Sequence, residues 1–288
     1  MEARKASFSS PFFPVSESFV TRVTEANLRV LVVSNQKGGV GKTTTAISLG
    51  AALAERGERV LIVDLDPQAN ATSGLGVAKD RAGTYGVLLK EQPIIDSIVN
   101  TEVPGLDLLP SGPDMAGAEV ELVPLMAREF RLRQALRAAS AYDTVIVDCP
   151  PSLGLLTVNA LAAGDDVVVP VQCEYYALEG LAQLLDTIEA VRQRLNERLE
   201  VLAIVLTMED RRNRLSMQVI EEVRKHFPKL VARTRIPRTV RLAEAPSHGK
   251  PISVYDPTSR AAKAYGELAR EVEQRMRAPE PIALAGSA

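Results

Sequence analysis

A glycine-rich stretch near the start of the chain has the residue types that hold the phosphates of a nucleotide. Residues 37–44 read Lys-Gly-Gly-Val-Gly-Lys-Thr-Thr, after an apolar run over 28–34 and before a run rich in Ala and Leu. Glycines allow tight turns that point backbone N–H groups at phosphate oxygens, and the N-terminus of a following helix adds partial positive charge. The order of strand, loop and helix predicts a P-loop.

Two side chains of this loop have roles that follow from the chemistry. Lys42 is expected to reach the β- and γ-phosphates, and the hydroxyl of Thr43 is expected to ligate Mg²⁺. The other predicted nucleotide contacts in the loop are Lys37, Gly38, Gly39, Val40, Gly41 and Thr44. The loop departs from the usual pattern at one place, because Gln36 stands where a glycine is expected and a lysine follows it.

Carboxylates follow two further apolar runs. The run at 60–63 leads into Asp64 and Asp66, and the run at 144–147 leads into Asp148. Side chains two positions apart on a strand project to the same side, so we expect Asp64 and Asp66 to face the same way. Ligands of open α/β sheets bind beyond the carboxyl ends of the strands, where all three acids are expected to lie.

The elements that must position these residues alternate along the chain. Strands are predicted at 28–34, 59–64, 106–109, 144–148, 166–171, 201–207 and 231–236, and helices at 43–56, 178–194, 216–226 and 259–276. This alternation predicts a doubly wound α/β fold with a mostly parallel sheet and helices on both faces. We expect one P-loop domain over residues 28–276, a flexible extension at 1–27 and a flexible tail at 277–288.

Composition narrows the classes of function. The formal net charge is −2, so any nucleic-acid contact must depend on local charge rather than on the total. The two cysteines, Cys149 and Cys173, are too few for a disulfide framework or a zinc site, and both are expected to be buried free thiols. No apolar run reaches the roughly 18 residues that a membrane-spanning helix needs, and residues 1–27 do not resemble a signal peptide. A cytoplasmic protein is expected.

The loop resembles that of the deviant Walker A ATPases, which include the ParA/Soj partition proteins, MinD and the nitrogenase iron protein. Lys37 matches the signature lysine of that family, which contacts the phosphates of the nucleotide bound by the partner subunit. The resemblance therefore implies a homodimer that forms on ATP. A second cation near the γ-phosphate would also neutralise the charge that develops during phosphoryl transfer.

The carboxylate segments resemble the switch regions of the same family. Asp66, followed by Pro-Gln, resembles the acid of switch I, which orients the attacking water, and Asp64 is expected to support it. Asp148 resembles the Walker B aspartate, which implies that it holds Mg²⁺ through the ion's water shell. Thr43, Asp66 and Asp148 are thus the predicted magnesium-site residues, and Lys37, Lys42 and Asp66 are the predicted catalytic residues.

The carboxyl-terminal third of the chain is locally basic. Residues 209–263 hold 13 Lys and Arg against six Asp and Glu. Concentrated positive charge of this kind suits sequence-independent contacts with the phosphates of nucleic acid.

Two segments of this third, 206–212 and 236–251, resemble the ParA/Soj branch specifically. The resemblance implies that Arg212 and Arg241 bind DNA without sequence preference. Arg238 and Lys250 are further predicted DNA contacts, and Pro237 is expected to lie close to the adenine.

The implied function is that of a ParA-type partition ATPase that uses ATP and Mg²⁺. ATP would drive dimerisation and binding to double-stranded DNA, and weak hydrolysis, stimulated by a ParB-type centromere-binding protein, would release the DNA. A cytoplasmic, nucleoid-associated location follows.

Three alternatives remain open at this stage. A MinD-like membrane-positioning ATPase requires a basic amphipathic helix, but residues 278–288 hold no Lys or Arg, so no stable membrane association is expected. A redox protein like the nitrogenase iron protein requires paired cysteines, which Cys149 and Cys173 do not match. A small-molecule kinase requires an acceptor pocket that the sequence does not reveal.

Overall fold

The structure is a computed structural model that describes residues 28–80, 83–174, 177–210 and 212–277. Within this part of the chain, seven strands form one sheet in the order β3-β4-β2-β5-β1-β6-β7. The strands are β1 Arg29–Val33, β2 Val60–Asp64, β3 Val99–Asn100, β4 Leu106–Leu109, β5 Thr144–Asp148, β6 Asp166–Gln172 and β7 Glu200–Thr207. Only the short β3 runs antiparallel to its neighbour, β4. The predicted mostly parallel sheet is confirmed.

Helices connect the strands and cover the sheet. They are α1 Lys42–Ala54, α2 Asn70–Gly74, α3 Gly83–Leu89, α4 Ile94–Ser97, α5 Met115–Leu122, α6 Arg131–Leu136, α7 Leu155–Ala163, α8 Ala177–Arg194, α9 Arg214–His226, α10 Val240–Glu244, α11 Ile252–Tyr255 and α12 Arg260–Met276. Two short 3-10 helices lie at Arg128–Phe130 and Ala245–His248. Among the described residues, no helix is both long and apolar enough to cross a membrane.

Alternate residues of the buried strands belong to two separate cores. In β1, Val32 packs into a core with residues of α7 and α8, whereas Leu31 and Val33 pack into a core with residues of α1 and α12. Successive side chains of a strand point to opposite faces, so a strand covered by helices on both faces must be apolar throughout. The predicted helices on both faces are confirmed.

The three strands that lead to the predicted site residues are neighbours. β5 lies between β2 and β1, and Asp148 is paired in register with Asp64 on one side and Val33 on the other. The carboxyl ends of these strands therefore meet at one edge of the sheet. This arrangement brings the loop at 37–44, the segment after Asp64 and the segment after Asp148 together.

Two sequence-based expectations are wrong. Residues 231–236 do not form a strand, because Val231 and the following Pro237 form only isolated bridges, to Ile204 of β7 and to Glu209 beyond its end. Proline has no N–H to continue a ladder there. β2 ends at Asp64, so Asp66 lies beyond the strand and the two-residue alternation does not apply to it. The predicted extension at 1–27 lies outside the described residues, and so does the predicted tail at 277–288 except for residue 277.

Candidate nucleotide site

The loop at 37–44 joins β1 to α1 in a conformation that depends on glycine. Gly39 and Gly41 have φ values of +74° and +90°, in the left-handed region that favours glycine. A Cβ atom added at Gly38 or Gly39 would meet nothing within 4 Å, so these backbone segments face open space. The loop is fixed from β7, because the Thr207 hydroxyl donates to the carbonyl of Val40 at 2.8 Å. The bare backbone is thus free to receive a ligand.

Lys42 begins α1 and is only 6% exposed. Its Nζ donates to the carbonyl oxygen of Lys37 at 3.0 Å, which spans the loop. Burial lowers the pKa of Lys42, while the neighbouring acidic groups, Asp148 foremost, oppose that shift. A cation is therefore held between the glycine loop and the carboxylates.

Asp148 is the least satisfied polar group of the site. It is fully buried, and neither of its carboxylate oxygens has a hydrogen-bond partner among the described residues. Burial and the charge of Asp64 raise the pKa of Asp148 well above its ordinary value, and the nearby Thr43 hydroxyl opposes the shift. Buried carboxylates of this kind are costly unless a cation or donor meets them. The donor set of Asp148 and Thr43 fits Mg²⁺, which prefers oxygen ligands.

Asp64 lies directly across from Asp148 but is fully engaged. One oxygen accepts from the backbone N–H of Thr72 at 2.8 Å and from its hydroxyl at 2.7 Å, and the other accepts from the N–H of Asp66 at 3.1 Å. Burial raises the pKa of Asp64 to about 6, against the effect of these hydrogen bonds. Asp64 thereby fixes the backbone that carries Asp66.

Asp66 occupies a turn beside these acids. Its Oδ1 accepts from the N–H of Gln68 at 2.8 Å, and its carbonyl accepts from the hydroxyl of Ser111 at 2.8 Å. The side chain is buried and close enough to influence the pKa values of Lys42 and Asp148. The structure thus brings Asp66, Asp148 and Lys42 to one place, as the sequence predicted.

A cleft of about 250 Å³ opens beside the amino-terminal end of α1. The loop contributes Gly41 to its wall, α1 contributes Thr44, and the segment after β7 contributes Pro237 and Arg238. The remaining lining residues are Thr207, Met208, Ile236, Thr239, Leu242, Ala243 and Tyr265. The cleft is thus mostly apolar and adjoins the glycine loop, and the predicted Pro237 lies in it.

Comparison with known proteins identifies the family. A family model described as "AAA domain" matches residues 28–201. The chain is 57% identical to the sporulation initiation inhibitor protein Soj of Bacillus subtilis, over 85% of this chain and 98% of that protein. It is 55% identical to the chromosome partitioning protein ParA of Caulobacter vibrioides, over 87% of this chain and 96% of that protein. The chain belongs to the ParA/Soj family. It is a chromosome-partitioning ATPase, and hence an ATP hydrolase.

Solved structures also resemble this ParA/Soj ATPase. A structure of cobyrinic acid a,c-diamide synthase from Mycobacterium smegmatis with bound ADP and magnesium is 40% identical, with a TM-score of 0.77, over 88% of this chain and 97% of that one. A second structure of that protein holds an ATP analogue and magnesium, at 41% identity and a TM-score of 0.77, over 88% of this chain and 98% of that one. Identity to the partition proteins is higher than to either.

Lys37 has an ion-pair partner within its own chain. The Nζ of Lys37 lies 2.9 Å from Oε2 of Glu174, which follows the end of β6. The backbone N–H of Lys37 donates to the Oδ1 of Asn35 at 3.0 Å, so the main chain at this position is fixed. Glu174 was not predicted as a site residue, because no sequence spacing relates it to the loop.

The predicted DNA contacts lie along the carboxyl-terminal third. Arg212 and Arg238 are exposed. Arg241 contacts Oε2 of Glu244 at 3.4 Å and lies over the ring of Tyr255, and the Nζ of Lys250 lies 4.0 Å from an oxygen of Glu102. Arg212 and Arg238 are therefore freer to contact another molecule than Arg241 and Lys250 are.

Both cysteines are buried free thiols, as predicted. Burial raises the pKa of both thiols, that of Cys173 to about 11. Cys149 directly follows Asp148 at the end of β5, and Cys173 follows β6. Their burial fits packing roles.

Sequence reasoning missed three hydroxyl residues that support the acids. Thr72 binds Asp64 and accepts from the N–H of Ser111 at 2.9 Å, and the hydroxyl of Thr84 donates to the carbonyl of Asp64 at 2.9 Å. These residues come from α2, α3 and the segment after β4. Ser and Thr are common in such positions throughout proteins, so their types alone carry no signal.

Proposed function

We propose that this ParA/Soj ATPase binds ATP and Mg²⁺ at the loop formed by residues 37–44, and that ATP binding joins two copies into a DNA-binding dimer. The observation that carries the proposal is the buried, unpartnered carboxylate of Asp148 beside Lys42 and an open glycine loop. An anionic group bound at the loop would provide an acceptor for the loop N–H groups and for Lys42. A cation beside Asp148 would neutralise its buried carboxylate.

The residues of the loop would hold the phosphates. The N–H groups of Gly38, Gly39, Val40, Gly41 and Thr44 are the proposed donors. Lys42 would turn its Nζ from the carbonyl of Lys37 to the β- and γ-phosphates, because a charged phosphate is a stronger acceptor than a neutral carbonyl. Pro237 would pack against the base in the cleft.

Thr43 and Asp148 would hold the magnesium ion, with Asp66 near enough to contribute. Bound Mg²⁺ neutralises charge that develops on the phosphate oxygens during hydrolysis. Filling this place also removes the cost of the buried charge at Asp148, so nucleotide binding is expected to stabilise this edge of the sheet.

Asp66 would orient the attacking water. The carboxylate accepts a hydrogen bond from the N–H of Gln68, and the backbone carbonyl accepts one from the hydroxyl of Ser111. These hydrogen bonds fix both the orientation of the side chain and the position of the backbone. Preorganised groups of this kind lower the barrier because they need no rearrangement at the moment of reaction.

Lys37 would complete the site of the second copy. The glycines beside it are exposed, so its end of the loop lies at the surface where another chain can approach. A lysine supplied across the interface would make nucleotide binding and dimerisation depend on each other.

The dimer would bind double-stranded DNA through Arg212, Arg241, Arg238 and Lys250. Two copies present twice the number of phosphate contacts, so dimerisation would raise DNA affinity without reshaping either copy. Hydrolysis would return the protein to single copies and release the DNA. We further propose a ParB-type centromere-binding protein as the activator and a nucleoid-associated location.

The test is steady-state ATP hydrolysis measured with DNA and with a cognate ParB-type protein, separately and together. We expect slow hydrolysis by the ATPase alone and a stimulation by both additions that exceeds the effect of either. Fast hydrolysis without a partner, unchanged by DNA, would contradict the proposal.

A further inference from the structure

Glu174 contacts the one charged side chain of the loop that is proposed to act on a second copy. The distance from the Nζ of Lys37 to Oε2 of Glu174 is 2.9 Å. The other oxygen of Glu174, Oε1, accepts from the side-chain amide of Gln172 at 2.5 Å. The carboxylate is therefore held from one side while it holds the ammonium on the other.

Hydrogen bonds to neighbouring strands hold the backbone on both segments that carry this pair. β6 continues past the point where β1 ends, and the side-chain amide of Asn35 ties the start of the loop to the carbonyl of Pro170 at 2.7 Å. The N–H of Cys173 donates to the carbonyl of Thr207, which ties the backbone just before Glu174 to β7. The ion pair thus crosses between two anchored segments.

The exposure of the pair suits an exchangeable contact. The side chain of Lys37 is 39% exposed and that of Glu174 is 50% exposed, so water can replace either partner. Ion pairs at such positions contribute little to stability. The pair is therefore weak enough to open when a phosphate of higher charge competes for the ammonium.

We propose that Glu174 is a positioning residue that retains the Lys37 ammonium within its own chain and thereby sets the nucleotide concentration at which two copies associate. This inference depends on the proposed action of Lys37 across the dimer. An ammonium held by Glu174 must leave it before it can reach the phosphates of a second copy. Two of these ion pairs must break when one dimer forms. The free energy of breaking one pair is therefore counted twice in the dimer dissociation constant.

The test is the dimer dissociation constant of Glu174→Gln, measured by analytical ultracentrifugation with a slowly hydrolysed ATP analogue and Mg²⁺. One exposed ion pair shifts the equilibrium toward the single chain by roughly three-fold. The variant lacks both pairs, so its dimer dissociation constant should be about ten-fold lower than that of the parent. Without nucleotide, the variant and the parent chain are expected to behave alike. This dependence on nucleotide separates positioning of Lys37 from a general effect on folding.

A matched control is Glu179→Gln, which removes one negative charge at an exposed position in the first turn of α8. It should leave the dimer dissociation constant unchanged. Glu174→Asp keeps the charge but withdraws the carboxylate by one methylene group, so it should tighten the dimer less than Glu174→Gln does. An unchanged or weaker dimer in Glu174→Gln would overturn the inference.

Lys37→Ala distinguishes this inference from the proposed function. If Lys37→Ala abolishes dimerisation on the analogue but Glu174→Gln has no effect, only the role of Glu174 is wrong. If Lys37→Ala dimerises as the parent does, the action of Lys37 across the dimer is wrong, and the role of Glu174 fails with it.

Discussion

Asp64 and Asp148 are paired in register on neighbouring parallel strands, yet only Asp64 has its carboxylate oxygens hydrogen-bonded. Buried acids in direct opposition repel each other, and the charge of Asp64 raises the tendency of Asp148 to hold a proton. The site therefore keeps one carboxylate as a fixed structural acceptor and leaves the other free for a cation. The first two predictions concern these residues.

The first prediction concerns the pH dependence of stability in the nucleotide-free protein. Burial raises the pKa of Asp148, so the folded chain binds this proton more tightly than the unfolded chain does. The proton on Asp148 therefore makes its full contribution to the stability of the folded chain below about pH 4. This contribution is lost as the pH rises through the folded-state pKa of Asp148. Asp148→Asn removes the buried charge without breaking a hydrogen bond that the structure describes. It should be more stable than the parent by at least about 1 kcal/mol at pH 8, and the difference should vanish near pH 4.

Urea unfolding at several pH values measures this difference. Asp143 is a control of opposite sign, because its ion pair with Arg59 lowers its pKa. Asp143→Asn should lose stability at neutral pH, and the loss should shrink as the pH falls through the lowered pKa of Asp143. Equal stability of Asp148→Asn and the parent at pH 8 would show that the Asp148 charge is already compensated.

The second prediction concerns the hydroxyl that supports Asp64. Thr72 donates to Asp64 and accepts from the N–H of Ser111, and all three groups are buried. Thr72→Val keeps the shape but leaves the buried N–H of Ser111 without its acceptor and removes one of the two hydrogen bonds to Oδ2 of Asp64, so the free energy of unfolding should fall by about 2–4 kcal/mol. Thr72→Ser keeps the hydroxyl and should lose only about 1 kcal/mol, for the missing methyl group. Urea unfolding of both variants measures this, and equal losses would contradict the assignment.

The third prediction separates dimerisation from hydrolysis. Lys37→Ala should fail to dimerise on ATP, because the proposed contact to the second copy is lost. Asp66→Ala should dimerise on ATP but remain bound to DNA, because the proposed orientation of the attacking water is lost. Sedimentation and a DNA release assay measure the two behaviours, and identical behaviour of the variants would refute the division of roles.

The fourth prediction concerns DNA binding in the presence of ATP. If each copy neutralises three to four phosphates, the logarithm of the binding constant should fall with the logarithm of salt at a slope near −3 per copy. Arg212→Ala and Arg238→Ala should each reduce the magnitude of that slope by about one. Arg133→Ala, an exposed change on α6, should leave it unaltered. Fluorescence anisotropy at several salt concentrations measures the slopes, and equal affinity with ATP, ADP and no nucleotide would contradict coupling.

The fifth prediction concerns a close contact between two glycines, Gly76 and Gly249. Gly249 has φ +64°, and a Cβ there would lie 2.7 Å from the Cα of Gly76, which follows α2. Gly249→Ala should therefore lose about 2–4 kcal/mol, from backbone strain and from a clash that side-chain movement cannot relieve. Gly266→Ala meets no atom within 4 Å on α12 and should gain about 0.5–1 kcal/mol. Thermal unfolding distinguishes the two, and a neutral Gly249→Ala would show that the contact is loose.

The sequence by itself determined the loop and the acids of this protein. Glycine spacing, the following lysine and threonine, and apolar runs that end in aspartate are local patterns, and each depends on backbone geometry within one strand, loop or helix. Parallel strands bring such ends to one edge of the sheet, so Lys42, Asp66 and Asp148 could be grouped before the structure was known.

Only the tertiary structure decided which of the two acids has hydrogen-bond partners and which lysine of the loop forms an ion pair. Asp64 and Asp148 look equivalent in sequence, but Thr72 and Ser111 form hydrogen bonds within the segment of Asp64, whereas no described group forms a hydrogen bond to the oxygens of Asp148. Glu174 meets Lys37 because β6 lies beside β1, a neighbour relation that crossover connections set. Such contacts join residues far apart in the chain, and the strand order that creates them depends on packing of the whole sheet.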